Sequence, residues 1–267
     1  ARYIKAREYD TLRFRADTRI NAIIRSVASN RDQEGVYFVD SIAALEAHSP
    51  HGIPGAELFY EHVHFNFKGN YLLGAAVFPA VQKLLPADLK AQASIILSET
   101  QAAERLAYTD YERHDFLDRI YRKMLNEPPF TNQLYHDQTL SAADQQLLKL
   151  EGAMQENNLK TYAAVYETAI RRDPQDWHLA WQYALFLGSG LNDTAAQEAQ
   201  LRKVIQRCPH DGAYIALGEN LHQQGKIKEA QKFLHQVLQI NPNAGRAHVE
   251  LAGIYQQLRD TEKYIEH

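Results

Sequence analysis

Residues 59–74, FYEHVHFNFKGNYLLG, bring Glu61, His62 and His64 within four positions of one another, just ahead of an apolar, helix-like run. A carboxylate three residues before a histidine, on a loop, can orient the imidazole through one ring nitrogen. The other nitrogen is then free to act as a general base. Glu61 and His64 stand in that relation, and His62, between them in sequence, would point differently. The same residues admit two other readings. His62 and His64 form a His-x-His pair that, with Glu61, could begin a metal site, although no matching cluster stands at ligand spacing elsewhere. The plainer alternative is a histidine-rich loop with no chemical role.

The elements that must position this motif read as follows. Residues 3–29 suit one amphipathic helix, with Leu12, Ala16, Ile20, Ile23 and Ile24 on one face and arginines on the other. NRDQEG breaks it. GVYFVD, residues 35–40, is short, β-branched and aromatic and reads as a buried strand. SPHGIPG, 49–55, is a loop. Asn66 can cap a helix running to about Leu85 and stopped by Pro86. Helix, strand, loop and helix make one arm of an α/β sheet. A lone strand cannot satisfy its own backbone, so residues 1–86 read as a fragment of a larger α/β domain or as packing onto something else. A cut sheet edge of that kind implies a homodimer.

Beyond residue 86 the chain reads as helix throughout, with a connector over 87–140 broken at EPPFTN, 127–132. A repeat occupies 141–267. IRRDPQD, IQRCPHD and LQINPNA place Pro174, Pro209 and Pro242 at intervals of 35 and 33 residues, close to the period of about 34 of helical-hairpin repeats. In the best unit, Leu217 and Gly218 allow close helix packing and Gly225 ends the first helix. Ala230 is the small residue at the helix crossing, Leu234 and Val237 fill the core, and Pro242 closes the unit. The next unit keeps Leu251, Ala252 and Tyr255. The preceding one has Trp177, Trp181, Tyr183 and Gly188, and before it come Tyr162, Tyr166 and Ala169.

Composition narrows the function. The chain has 267 residues, 45% apolar and 23% charged, with a net charge of −4. So mild a charge implies no large nucleic-acid surface, and no base-reading motif accompanies the eight Arg and Lys of residues 1–31. Cys208 is the single cysteine, so no intrachain disulfide can form. The apolar run YLLGAAVFPAV is too short to span a bilayer. The opening ARYIKAREYD carries charge where the apolar core of a signal peptide would be. Nothing in the pattern implies a cofactor.

Residues 141–267 resemble a tetratricopeptide-repeat solenoid of three to four units, whose concave face would hold a protein or peptide. GIPGAELFYEHVHFNFKGNYLLG resembles the last sequence block of SGNH/GDSL-type hydrolases, in which an acidic residue, two spacers and a histidine precede the final helix. RYIKAREYDTLRFRADTRINAIIR, GVYFVD and SPHGIPG are similar to the same family's late helix, strand and loop. EPPFTNQ and the repeats are similar to bacterial proteins that fuse such a hydrolase to a tetratricopeptide tail. The resemblance implies that His64 is the catalytic base and Glu61 its orienting acid, where the family more often has Asp. It also implies a serine nucleophile in a Gly-Asp-Ser block, which these residues lack. Ser26, Ser29, Ser41 and Ser49 have no glycine-rich turn to expose them. The expected fold is mostly α: a tetratricopeptide solenoid preceded by a partial, SGNH-like α/β segment. The chain alone is expected to be inactive as a hydrolase and to act as a binding scaffold.

Overall fold

The computed structural model describes residues 5, 8, 9, 16–61, 63–92, 96–128 and 130–267. The chain falls into two units, Ala1–Ala102 and Ala103–His267.

In the first unit, Asp17 starts α1, Thr18–Ala28, by accepting from the Ile20 amide. The single helix expected over 3–29 is therefore interrupted at Asp17, and Leu12 lies outside the described residues. Ile20, Ile23, Ile24 and Val27 do share one face of α1, but that face is exposed. The strand expected at 35–40 does not form. Residues 36–40 are irregular, the Val36 amide turns back to the Arg31 carbonyl, and Asp40 caps α2, Ser41–Glu46. The reason is the one that made a lone strand implausible: an extended segment keeps its geometry only with a neighbour to take its amides and carbonyls. A short 3₁₀ turn, Pro50–Gly52, follows, and then α3, Phe67–Leu84, capped by Asn66 as expected. The core of this unit is small, with Leu45, Leu58 and Leu72 flanked by Phe59, Phe65 and Tyr71.

The continuous helix expected after Pro86 is broken into α4 (Ala87–Gln92), α5 (Glu99–Arg105) and α6 (Asp110–Ile120). The break before α5 has a local cause. Ser98 and Gln101 form a capping box, each side chain bonding the other's amide. The break before α6 contains Ala107 at a φ of 50°.

The second unit continues with α7 (His136–Ala153), α8 (Glu156–Arg172), α9 (Trp177–Ser189), α10 (Thr194–Arg207), α11 (Asp211–Gln223), α12 (Ile227–Ile240), α13 (Gly245–Leu258) and α14 (Thr261–Glu266). Each expected proline falls in the link between one helix pair and the next. Leu217, Ala230, Leu234 and Val237 are fully buried in the main core, together with Leu251 and Ile254 of the next pair. Gly225, at a φ of 74°, ends α11, a left-handed position that favours glycine. A second core packs the Tyr166 ring against Tyr183 and Phe186, each centroid 5.3 Å away. Among the described residues no strand forms, and no helix is long and apolar enough to cross a membrane.

Candidate functional site

Glu61 and His64 meet as their spacing predicts. They sit on a tight turn whose legs are joined by an antiparallel bridge between Phe59 and Phe65, with ring centroids 4.5 Å apart. The Tyr60 amide donates to the His64 carbonyl at 2.9 Å and closes the turn. Inside it, Glu61 Oε2 accepts the Val63 amide at 2.8 Å and Oε1 accepts the His64 amide at 2.7 Å. Oε1 also accepts from His64 Nδ1. The Glu61 side chain is only 4% exposed and that of His64 is 46% exposed. The carboxylate is thus buried while the ring it bonds stays half exposed. In neutral His64 this arrangement selects the Nδ1–H tautomer and leaves the lone pair on Nε2. That is the state a general base requires.

The rest of a catalytic constellation is not assembled here. Ser29 and Ser49 donate their hydroxyls to the carbonyls of Arg25 and Leu45, at 2.5 and 2.9 Å. No hydrogen bond joins His64 to a serine among the described residues. His62, the third member of the metal alternative, lies outside the described residues. Among those described, no group of three or more His, Cys, Asp or Glu is arranged to hold a metal ion.

The second candidate surface belongs to the repeats. The first helices of two successive pairs, α11 and α13, are bridged by polar side chains. Arg246 Nη2 donates to both oxygens of Glu219 at 2.6 and 2.8 Å, and His222 Nε2 meets Gln257 Oε1 at 3.0 Å. Burial raises the Glu219 carboxyl above its usual range, against the pull of Arg246. Between α9 and α11, the His210 ring lies beside Trp177 and Trp181, with centroids 5.2 and 5.1 Å away.

The family model described as "Tetratricopeptide repeat" matches residues 221–263, from the end of α11 into α14. Tetratricopeptide-repeat sequence is thus shown for residues 221–263. Nine solved chains match it. One, "MamA MSR-1 C2", is 17% identical with a TM-score of 0.40, over 64% of this chain and 93% of its own. No curated protein matches the sequence. The repeat residues read from the sequence are in their expected places: Gly218 lies against Leu234 at the helix crossing, and Ala230 is fully buried.

Sequence reasoning missed a set of tyrosine–carboxylate pairs in this unit. Tyr166 donates to Glu112, Tyr162 to Asp110 at 3.4 Å, and Tyr183 to Glu167 at 3.1 Å. The partners of Tyr166 and Tyr162 are more than fifty residues away in the chain. No local spacing signals them.

Proposed function

We propose that this chain is a protein-binding scaffold whose repeats hold a protein or an extended peptide along their concave face, on α9, α11 and α13. The observation that carries the reading is the side-by-side placement of α11 and α13, tied by Arg246 to Glu219. First helices set next to one another build a continuous surface of the kind helical repeats use for ligands. Val249, 69% exposed on α13, offers apolar contact on that pair. No nucleic acid is part of the reading, since the net charge is −4. The test is a screen of extended peptides, followed by amide-exchange mapping of a bound one. Protection concentrated on α9, α11 and α13 is expected. Protection confined to α10 and α12 would refute it.

A second reading concerns the first unit, and the Glu61–His64 geometry favours it. Residues 1–86 form the C-terminal piece of an SGNH-like α/β hydrolase domain, 87–140 a helical connector and 141–267 the repeats. His64 is the base and Glu61 its orienting acid, and the serine nucleophile is supplied from outside these residues. A base without nucleophile or oxyanion hole contributes little, so the chain by itself is inactive. The homodimer expected through a sheet edge drops out of this reading, because 36–40 is irregular. Fluorophosphonate, which marks activated serines, should leave the purified chain unlabelled. Labelling that disappears on His64→Ala would show that a nucleophile lies within these residues.

A further inference from the structure

We propose that Asn66 is the positioning residue of the Glu61–His64 pair, acting through its side-chain amide on the turn that carries them. The inference rests on the second reading above, in which His64 is a base held by Glu61.

A turn of this length has little apolar area of its own, and a two-legged turn is marginal in water without outside support. The support is concentrated on one residue. The Asn66 backbone amide donates to the Leu58 carbonyl at 2.9 Å, joining the second leg to the first. Its side-chain Nδ2 donates to the Glu57 carbonyl at 3.1 Å, one residue further along the first leg. Its Oδ1 accepts the Gly69 amide at 3.0 Å and caps α3. One side chain therefore holds the base of the turn and the first turn of an eighteen-residue helix in fixed relation. Asn70 adds a weaker bond from Nδ2 to the Phe65 carbonyl at 3.3 Å.

The packing agrees with the bonding. Gly69 lies under the turn so closely that an added Cβ would sit 2.4 Å from the Leu58 carbonyl oxygen and 2.6 Å from Phe65 Cδ1. Leu58 itself is fully buried. The legs thus rest directly on the helix backbone, and Asn66 bonds both the first leg and the start of α3 through one side chain, with the longer Asn70 bond to Phe65 beside it. Loosening it frees the 57–66 turn, on which the Glu61 carboxylate must meet both the His64 amide and Nδ1 at once.

The two roles of Asn66 can be separated. Asp is as good a helix cap as Asn, so Asn66→Asp keeps the Gly69 bond and loses the donor to Glu57. Asn66→Ala loses both. The measurement is a proton–nitrogen correlation spectrum of the imidazoles in the whole chain, which reads the tautomer of His64, beside a Glu61→Gln reference. At a pH high enough for the ring to be neutral, His64 in the unsubstituted chain should show Nδ1–H with an unprotonated Nε2. In both Asn66 variants the Nδ1–H signal should be lost to the level of Glu61→Gln, while Asn66→Asp melts like the parent chain. Retention of Nδ1–H in Asn66→Asp would overturn the positioning role and leave the pair intact. Absence of Nδ1–H in the parent chain would overturn the pair, and the positioning role with it.

Discussion

The Gly218 backbone on α11 faces the Leu234 side chain on α12 so closely that a methyl group added to Gly218 would lie 2.7 Å from Leu234 Cγ and 2.8 Å from Cδ2. Leu234 is fully buried and cannot retreat. Gly218→Ala should therefore overpack the crossing and destabilise the second unit by about 1–3 kcal/mol, the usual cost of extra methylenes in a filled core. Gly245→Ala is the control, since nothing lies within 4 Å of its added carbon. Equal chemical-denaturation midpoints for the two variants would contradict the close-crossing account.

Asn220 is 2% exposed on α11. Its Nδ2 donates to the Thr194 carbonyl at 2.9 Å and to Gln197 Oε1 at 2.6 Å. These bonds tie α11 to the start of α10. Asn220→Ala removes the donor from two part-buried acceptors, of which the Thr194 carbonyl keeps Gln224 Nε2 at 3.4 Å, and should cost about 0.5–1.5 kcal/mol. Urea unfolding of the variant checks this, and a loss within error of zero would mean that water replaces the side chain.

Glu112 and Glu198 should give the fold opposite pH slopes in separate ranges. Burial raises the Glu112 carboxyl above its ordinary 4.5, with the Tyr166 hydroxyl pulling the other way. The folded state then holds that proton more tightly than the unfolded chain. Its contribution is complete below pH 4.5 and is lost as the pH rises through the folded value. Glu198 is lowered to about 2, first by Lys226 and then by Arg202 and Gln224, against the effect of burial. Its contribution is present above 4.5 and is lost as the pH falls toward 2. Denaturation midpoints across the acid range should flatten above pH 4.5 in Glu112→Gln and below it in Glu198→Gln. An unchanged curve in either variant refutes the corresponding assignment.

His210 should add a third dependence. Its Nδ1 accepts the Ala213 amide at 3.2 Å and caps α11. Its buried Nε2 has no hydrogen-bond partner among the described residues. Burial lowers its pKa below 6.5, helped by His178 and opposed by Asp211. The neutral ring is therefore the folded form, and its contribution is present above 6.5 and is lost as the pH falls through the lowered value. Protonation also removes the acceptor that caps the helix. His210→Asn keeps a capping oxygen and should abolish the step. Thermal melts at pH 7.5 and 5.5 decide it: a step of the same size in the variant would assign the dependence elsewhere.

Much of the local order was legible in the residues. Asn66 marked the start of α3, and Gly218, Ala230 and the three prolines marked the repeat. Each acts through neighbours close in sequence or through a periodic packing position. Glu61 and His64 were legible for the same reason, since three residues of separation suffice for a carboxylate to reach a ring nitrogen. Ser98 and Gln101 carried an equally local signal that should have divided the helix after residue 86.

Other features depended on partners that the sequence does not name. GVYFVD has the composition of a strand, yet a strand exists only beside another strand, and the described residues supply none. The clamp from Asn66 ends on the Glu57 carbonyl, a group that every residue carries and no residue type announces. The bond from Tyr166 to Glu112 joins positions 54 residues apart. By itself the sequence determined the helices, their caps and the period at which they pair, because those follow from near-neighbour sterics and hydrogen bonding. Only the tertiary structure decided which backbone carbonyls and distant carboxylates the side chains meet, because that depends on how the elements pack in space.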